Sequence, residues 1–358
     1  LCFSLPLASL KSINKYLSPY APFLLGLGCL VIAQVLNYFP EFTEQVYRNG
    51  LFAIFRWVRD GLFSMVPIPL MLVILLLGLF LLVRGWIKKR VFIKRPWWRT
   101  LLNTIGMLLT WFYISWGWNY SAPGLMDKLN ADVKALDQET YEALRTESLT
   151  MASLHRAKSD TTYFHTKDIP SGDVTSIHSA VREYLNTVNV ETPGNVAMRR
   201  ISKSGWMRKI GVAGIYMPFS GEGHADASYL GLREWFILAH EYAHGYGITD
   251  EGECNYIAFM SLTESGVHRF QYAAWLELAE HLLPHVADTT FTLEIDLSIQ
   301  RDRTILFEDA MNYRSGVQSI ALASNNLYLL SQGVEEGVAS YDLLPEMVVA
   351  VRNRKEQE

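Results

Sequence analysis

The chemistry in this 358-residue chain gathers in one short run, His240-Glu241-Tyr242-Ala243-His244. On a helix, residues four apart share a face, so His240 and His244 can each offer a ring nitrogen to one Zn2+. Glu241 sits beside them, placed to take a proton from metal-bound water and not to ligate the ion. Trp235-Phe236-Ile237-Leu238-Ala239 anchors that helix in a core, and Gly245 or Gly247 can end it. Catalytic zinc needs a third protein ligand and an open position. Downstream, Thr249 or Asp250 can cap a second helix, on which Glu251 and Asn255 share a face while Glu253 points nearly opposite. Glu251 is therefore the expected third ligand, with Glu253 the alternative. Asn255 is the expected partner that orients a histidine or the carboxylate. Cys254 lies on neither ligand face and reads as a small buried residue.

Other candidates carry less. His281 and His285 imitate the four-residue spacing, but Pro284 disturbs the helix and no Glu follows the first histidine. His224 reads as a loop histidine that can approach a metal or an oxyanion. Tyr242, Tyr246, Tyr313 and Arg314 can all polarise a carbonyl, and the sequence does not choose among them.

The elements that must position these residues follow from composition. The chain is 50% hydrophobic and 19% charged, with a net charge of −4. Its halves differ. Residues 1–126 hold 12 basic and 3 acidic residues, a net +9, whereas residues 127–358 hold the other 20 and 33, a net −13. All nine histidines lie in the second part. An acidic polar half argues against nucleic-acid binding, and three cysteines cannot build a disulfide framework. Residues 16–40, 61–83 and 100–126 are uncharged and long enough to cross a bilayer, so three transmembrane helices are expected at about 20–39, 66–85 and 101–118. Seven basic residues between Arg84 and Arg99 place that loop in the cytoplasm, the Lys11 and Lys15 end with it, and everything after Tyr120 outside. The amphipathic stretch within residues 41–65 is expected on the outer membrane surface.

Beyond Ser121–Pro123 the pattern predicts helices over 127–158, 174–188, 231–245, 250–264, 267–284 and 297–312, with a strand over Ile210–Phe219 that Pro218 marks as an edge or an end. The expected fold is α+β and mostly helical. A membrane anchor covers 1–122, and an extracytoplasmic domain with a small sheet covers 123–358.

The run from His240 to Asn255 resembles the HExxH…ExxxN signature of gluzincin-type metallopeptidases. More closely, it is similar to a family of bacterial three-span membrane proteins, a domain of unknown function, which joins HExAHxxGxxxExEAN to a preceding G-I-Y-x-P-F-[ST]-G-E segment. Here that segment is Gly214-Ile215-Tyr216-Met217-Pro218-Phe219-Ser220-Gly221-Glu222, and Trp116-Gly117-Trp118-Asn119-Tyr120 matches the run that closes the third span. The chain departs at Cys254, where the family usually has Ala, and at Gly223-His224-Ala225-Asp226, which lacks the usual Asn. The resemblance implies a zincin-like, zinc-dependent peptidase anchored in the bacterial cytoplasmic membrane. Its substrate would be a peptide or protein, membrane-associated ones included. In zincins an edge strand beside the active helix binds extended peptide by main-chain addition, a role open to Gly214, Ile215, Tyr216 and Met217; sheet core is the other reading of that segment. The rival from another class is a non-catalytic, zinc-containing membrane sensor or structural protein.

Overall fold

A computed structural model describes residues 18–63, 68–87, 96–201, 203–283, 295–334 and 336–356. Cys2, Lys11, Lys15, His285 and the basic loop from Lys88 to Arg95 lie outside the described residues. In chain order the longer α-helices are α1 (Ala21–Leu36), α2 (Ala53–Phe63), α3 (Leu70–Ile87), α4 (Trp97–Ser115), α5 (Gln138–Ala157) and α6 (Ser171–Thr187). They continue with α7 (Gly231–Gly245), α8 (Glu251–Glu264), α9 (His268–Leu282), α10 (Leu297–Met311), α11 (Gln318–Ser331) and α12 (Leu344–Glu356). The strands are β1 (Ala197–Ile201), β2 (Gly214–Met217) and β3 (Glu222–Asp226). The fold is mostly helical with one three-stranded sheet among the described residues.

The chain divides into two compact units. The first comprises Leu1–Phe55, Met65–Ala122 and Pro218–Ser220; the second comprises Arg56–Ser64, Pro123–Met217 and Gly221–Glu358. In the first unit α1 packs along α4. Their backbones meet at Gly26 and Gly106, where a Cβ on Gly26 would lie 2.5 Å from the Gly106 carbonyl oxygen. Only glycine permits so close an approach. The Trp118 indole N–H donates to the Cys29 carbonyl at 3.1 Å, and α1 leaves Leu25, Val31 and Val35 exposed. Among the described residues one helix, Ser18–Leu36, is long and apolar enough to cross a membrane; Leu70–Phe80 is a shorter apolar helix.

The second unit is built around α7. Trp235, Leu238, Ala239 and Ala243 are fully buried in it, and α7 packs against α6, α8, α9 and two strands of the sheet. The strand order is β1-β3-β2, with β1 parallel and β2 antiparallel to β3. β2 is thus an edge strand. In β3, Gly223 and Ala225 face α7, while Glu222, His224 and Asp226 alternate to the other face. Of these, Glu222 is paired with Arg199 at 3.0 Å, and Asp226 accepts the main-chain N–H groups of Met207, Arg208 and Ser228.

Several expected elements change. The helix over 127–158 is broken: Leu125–Lys128 forms one turn, Asn130 adopts the left-handed region at φ 50°, and Asp137 caps a new start at Gln138 by accepting the Thr140 N–H at 2.8 Å. The strand over Ile210–Phe219 shrinks to Gly214–Met217, because residues 210–212 close the turn after Trp206–Lys209 and Pro218 has no N–H for the ladder. β1, β3, α11 and α12 lie outside the expected elements, although Leu344, Met347, Val348 and Val351 of α12 follow the helical period. The stretch within residues 41–65 is amphipathic in the structure as well. Arg56 and Asp60 of α2 are buried in the second unit, while Ile54, Trp57, Val58 and Leu62 are exposed.

Candidate metal centre

α7 carries His240, Glu241 and His244 on a helix whose end is fixed in two ways. Gly247, at φ 90°, turns the chain so that the Ile248 N–H returns to the Ala243 carbonyl. The guanidinium of Arg56, fully buried, donates to the Gly245 carbonyl at 2.7 Å, to the Tyr216 hydroxyl at 3.1 Å and to Asp60 at 2.6 Å. Asp60 also accepts the Asn195 N–H at 3.0 Å. One buried ion pair thereby joins the end of the histidine helix to the edge strand. α8 begins after Asp250, whose side chain accepts the Glu253 N–H at 2.8 Å, and this sets Glu251 in the first turn.

The histidine Nε2 atoms lie 3.1 Å apart, and each lies 3.1 Å from Oε2 of Glu251. Tetrahedral zinc with donors at 2.0–2.1 Å needs donor atoms about 3.3 Å apart, so this triangle fits the ion closely. The other ring nitrogens face away. His240 Nδ1 pairs with Asn255 Oδ1 at 2.7 Å, and His244 Nδ1 pairs with the Ile248 carbonyl at 2.9 Å. Both bonds require Nδ1–H donors, which leaves Nε2 lone pairs directed at one another and at a carboxylate. Without a cation that convergence is unfavourable; with one it is a ligand set. Burial alone would raise the Glu251 carboxyl, but His244 and His240 hold it well below the usual range.

Glu253 is turned elsewhere, its carboxylate accepting the Met126 N–H at 2.9 Å. His240, His244 and Cys254 also form a close group, with donor atoms within 4.8 Å. Cys254 Sγ, however, sits 3.3 Å from Nδ1 of His244, on the ring's far side from Glu251. Burial pushes its thiol up to about 12, so it stays protonated at neutral pH. The geometry favours Glu251 as third donor.

Glu241 lies on the α7 face that meets the sheet. A Cβ on Gly214 would fall 2.5 Å from its Oε1, and a Cβ on Gly223 would fall 3.6 Å from its Cβ. The Tyr216 N–H bonds the carboxylate, while Oε2 is buried with no partner. Burial pushes this carboxyl up to about 7, against the lowering influence of His240 and His244. A buried carboxylate with one satisfied and one open oxygen, beside a metal-binding triangle, is fitted to accept a proton.

The remaining candidates fall away from this point. The Asp226 N–H donates to Ala213, so 213↔226, 215↔224 and 217↔222 are the hydrogen-bonded pairs of β2 and β3; Gly214 and Tyr216 direct their main-chain groups to the outer edge. His224 lies on the sheet face opposite Glu241. Tyr242 stacks on His178, the Tyr246 hydroxyl pairs with His178 at 2.6 Å, and Tyr313 lies against Lys167 and Arg208. His281 sits near Glu277. Arg314 is exposed in the segment between α10 and α11, within reach of Met311. The sequence reading missed Tyr341, in the turn Gly337–Asp342. Its ring stacks on His240 with a 7° interplanar angle, its hydroxyl donates to Glu251, and its carbonyl accepts from Asn255 at 3.0 Å. Nothing in the local sequence marks it, because the turn lies 90 residues from Glu251 and becomes its neighbour only by folding.

A family model described as a protein of unknown function (DUF3810) matches residues 47–349. The chain belongs to the DUF3810 family. That match takes in all the residues of the metal triangle, Glu241, Tyr341 and the edge strand. No curated protein matches the chain, and no solved structure does.

Proposed function

We propose that this DUF3810 chain is a membrane-anchored, zinc-dependent peptidase. The observation that carries the reading is the convergence of two histidine Nε2 atoms and one Glu251 oxygen beside the unpartnered Oε2 of Glu241. His240, His244 and Glu251 would hold Zn2+, which when bound supplies a Lewis acid that polarises a water and a peptide carbonyl. Glu241 takes the proton of that water on Oε2 and passes it to the leaving amine. The Tyr216 N–H steadies the other carboxylate oxygen, so the base is oriented before substrate arrives. Asn255 and the Ile248 carbonyl hold both imidazoles in the Nδ1–H form. Tyr341 fixes Glu251 from the other side. The outer edge of β2 offers the Gly214 main-chain groups and the Tyr216 carbonyl to an extended peptide, the Tyr216 N–H being held by Glu241, and this lays a scissile bond beside Glu241.

Three apolar helices, α1, α3 and α4, make the anchor in this reading. The close Gly26–Gly106 approach and the aromatic end of α4 suit a bilayer, and the basic loop from Arg84 to Arg99 sets the peptidase unit outside the cytoplasm of a bacterial cell. The test is turnover of casein and a peptide library by the full chain in detergent. Activity that disappears on chelation and returns with stoichiometric zinc supports the reading; zinc-loaded protein that cleaves nothing sinks it.

A further inference from the structure

A second convergence of metal-binding side chains lies where the last turn of α5 meets the first turn of α9. Nδ1 of His155 and Nδ1 of His268 are 3.2 Å apart, on residues separated by 113 positions in the chain. Gln271 stands one turn into α9, on the same face as His268. Its Oε1 lies 3.0 Å from the His268 nitrogen, and its carboxamide also bonds the His155 ring. That carboxamide is fixed in orientation, because its NH2 donates to the Thr263 carbonyl at 2.9 Å. Oε1 therefore faces both imidazoles.

Hydrogen bonding alone does not satisfy this group. Each Nδ1 carries either a hydrogen or a lone pair, and Oε1 only accepts. A hydrogen on His155 leaves the His268 lone pair facing Oε1, and a hydrogen on His268 leaves the His155 lone pair facing it. Hydrogens on both set two N–H groups head to head. Every arrangement leaves at least one opposed pair, beside a buried His155 where mismatch is costly. A cation at the centre meets three lone pairs and leaves none opposed. The spacing suits one ion, since tetrahedral donors around zinc stand about 3.3 Å apart. His268 and Gln271 are half-buried, which leaves a side open for the ion to enter and for a water as fourth ligand.

We propose that His155, His268 and Gln271 form a second metal site, built from residues other than the His240 triangle, for a divalent transition ion of the zinc or copper kind. Two imidazoles and a carboxamide select such ions over Mg2+ and Ca2+, which take oxygen ligands. The set carries no negative charge, and Lys158 adds positive charge nearby, so this is the weaker of the two sites and fills second. The ion ties the end of α5 to the start of α9, and α9 packs on α7 and α8, the helices that carry the first triangle. Its role is to clip that helix stack together, and it stands whether or not the chain cleaves peptides.

The test counts zinc bound to the full chain in detergent after gel filtration. Expected are two equivalents in the wild type, one in His268→Ala and one in His240→Ala/His244→Ala, with none displaced by millimolar Mg2+ or Ca2+. Zinc should raise the Tm of His240→Ala/His244→Ala, and adding His268→Ala should abolish that shift. Copper loaded into His240→Ala/His244→Ala should show two imidazole nitrogens in its electron paramagnetic resonance spectrum, a signature that does not depend on how well His268→Ala folds. A His268→Ala chain that keeps the wild-type zinc count, or a copper spectrum with fewer than two nitrogens, overturns the proposal. A wild type with a single equivalent that His268→Ala abolishes would keep this site and remove the first.

Discussion

Gly214→Ala probes the contact between the edge strand and the general base. The added Cβ would lie 2.5 Å from Oε1 of Glu241 and 2.7 Å from its Cγ and Cδ, where ordinary contacts begin near 3.4 Å. Either the strand or the carboxylate must move by about 0.9 Å. β2 is paired to β3 on one side and tied by Tyr216 to the buried Arg56, so the carboxylate is the softer partner. A displacement of about 1 Å at a reacting group costs roughly 100-fold in rate. His240, His244 and Glu251 do not touch Gly214, so zinc content should stay stoichiometric and kcat should fall with little change in KM. The assay is steady-state peptide cleavage together with metal analysis and thermal unfolding of the same preparation. A variant that keeps zinc, keeps its Tm and cleaves within threefold of wild type would show that Glu241 is not held by this strand, and the assigned base geometry would be wrong.

Three further outcomes follow from the same structure. Asn255→Ala removes the acceptor that fixes the His240 tautomer, and zinc affinity measured by chelator competition should drop about 10- to 100-fold; an unchanged affinity rejects that orienting role. Arg56→Ala leaves Asp60 buried without its partner and the Gly245 carbonyl without its donor, so unfolding stability should fall by about 3–5 kcal/mol; a loss under 1 kcal/mol contradicts the picture of α2 wired into the second unit. His178, buried against Tyr242 and Tyr246, has its pKa pushed down to about 4 by burial and by Arg182 and Arg56. Between about pH 4 and 6.5 the unfolded chain binds a proton there that the folded chain does not, so stability rises with pH across that window, by about 3 kcal/mol from this group. His178→Phe should flatten the slope in pH-dependent thermal unfolding, and an identical slope in the variant refutes the assignment.

How far the site was legible depended on whether spacing or folding made the neighbours. His240 and His244 are neighbours by helical period alone, and Glu251 and Asn255 by the period of the next helix, so these could be read directly. The preference for Glu251 over Glu253 came from helical faces, and in the structure Glu251 faces the histidines while Glu253 accepts the Met126 N–H. Tyr341 could not be read, because a polar turn brings it over His240 without any periodic signal. The sheet was half legible. β2 is apolar enough to show, but Glu222-Gly-His-Ala-Asp226 is buried by partners distant in sequence and looks like a loop. Arg56 was not legible at all: nothing beside Ile54, Trp57 and Val58 signals that its guanidinium is buried and bonds Tyr216 and the Gly245 carbonyl.

The central claim is that Glu241 is the base of a zinc-dependent hydrolysis. Glu241→Gln removes the acceptor while keeping the side chain's size, so turnover compared at equal zinc occupancy isolates that role. The account predicts full zinc binding and cleavage reduced by at least about 100-fold. Equal turnover by the two zinc-loaded proteins would contradict it.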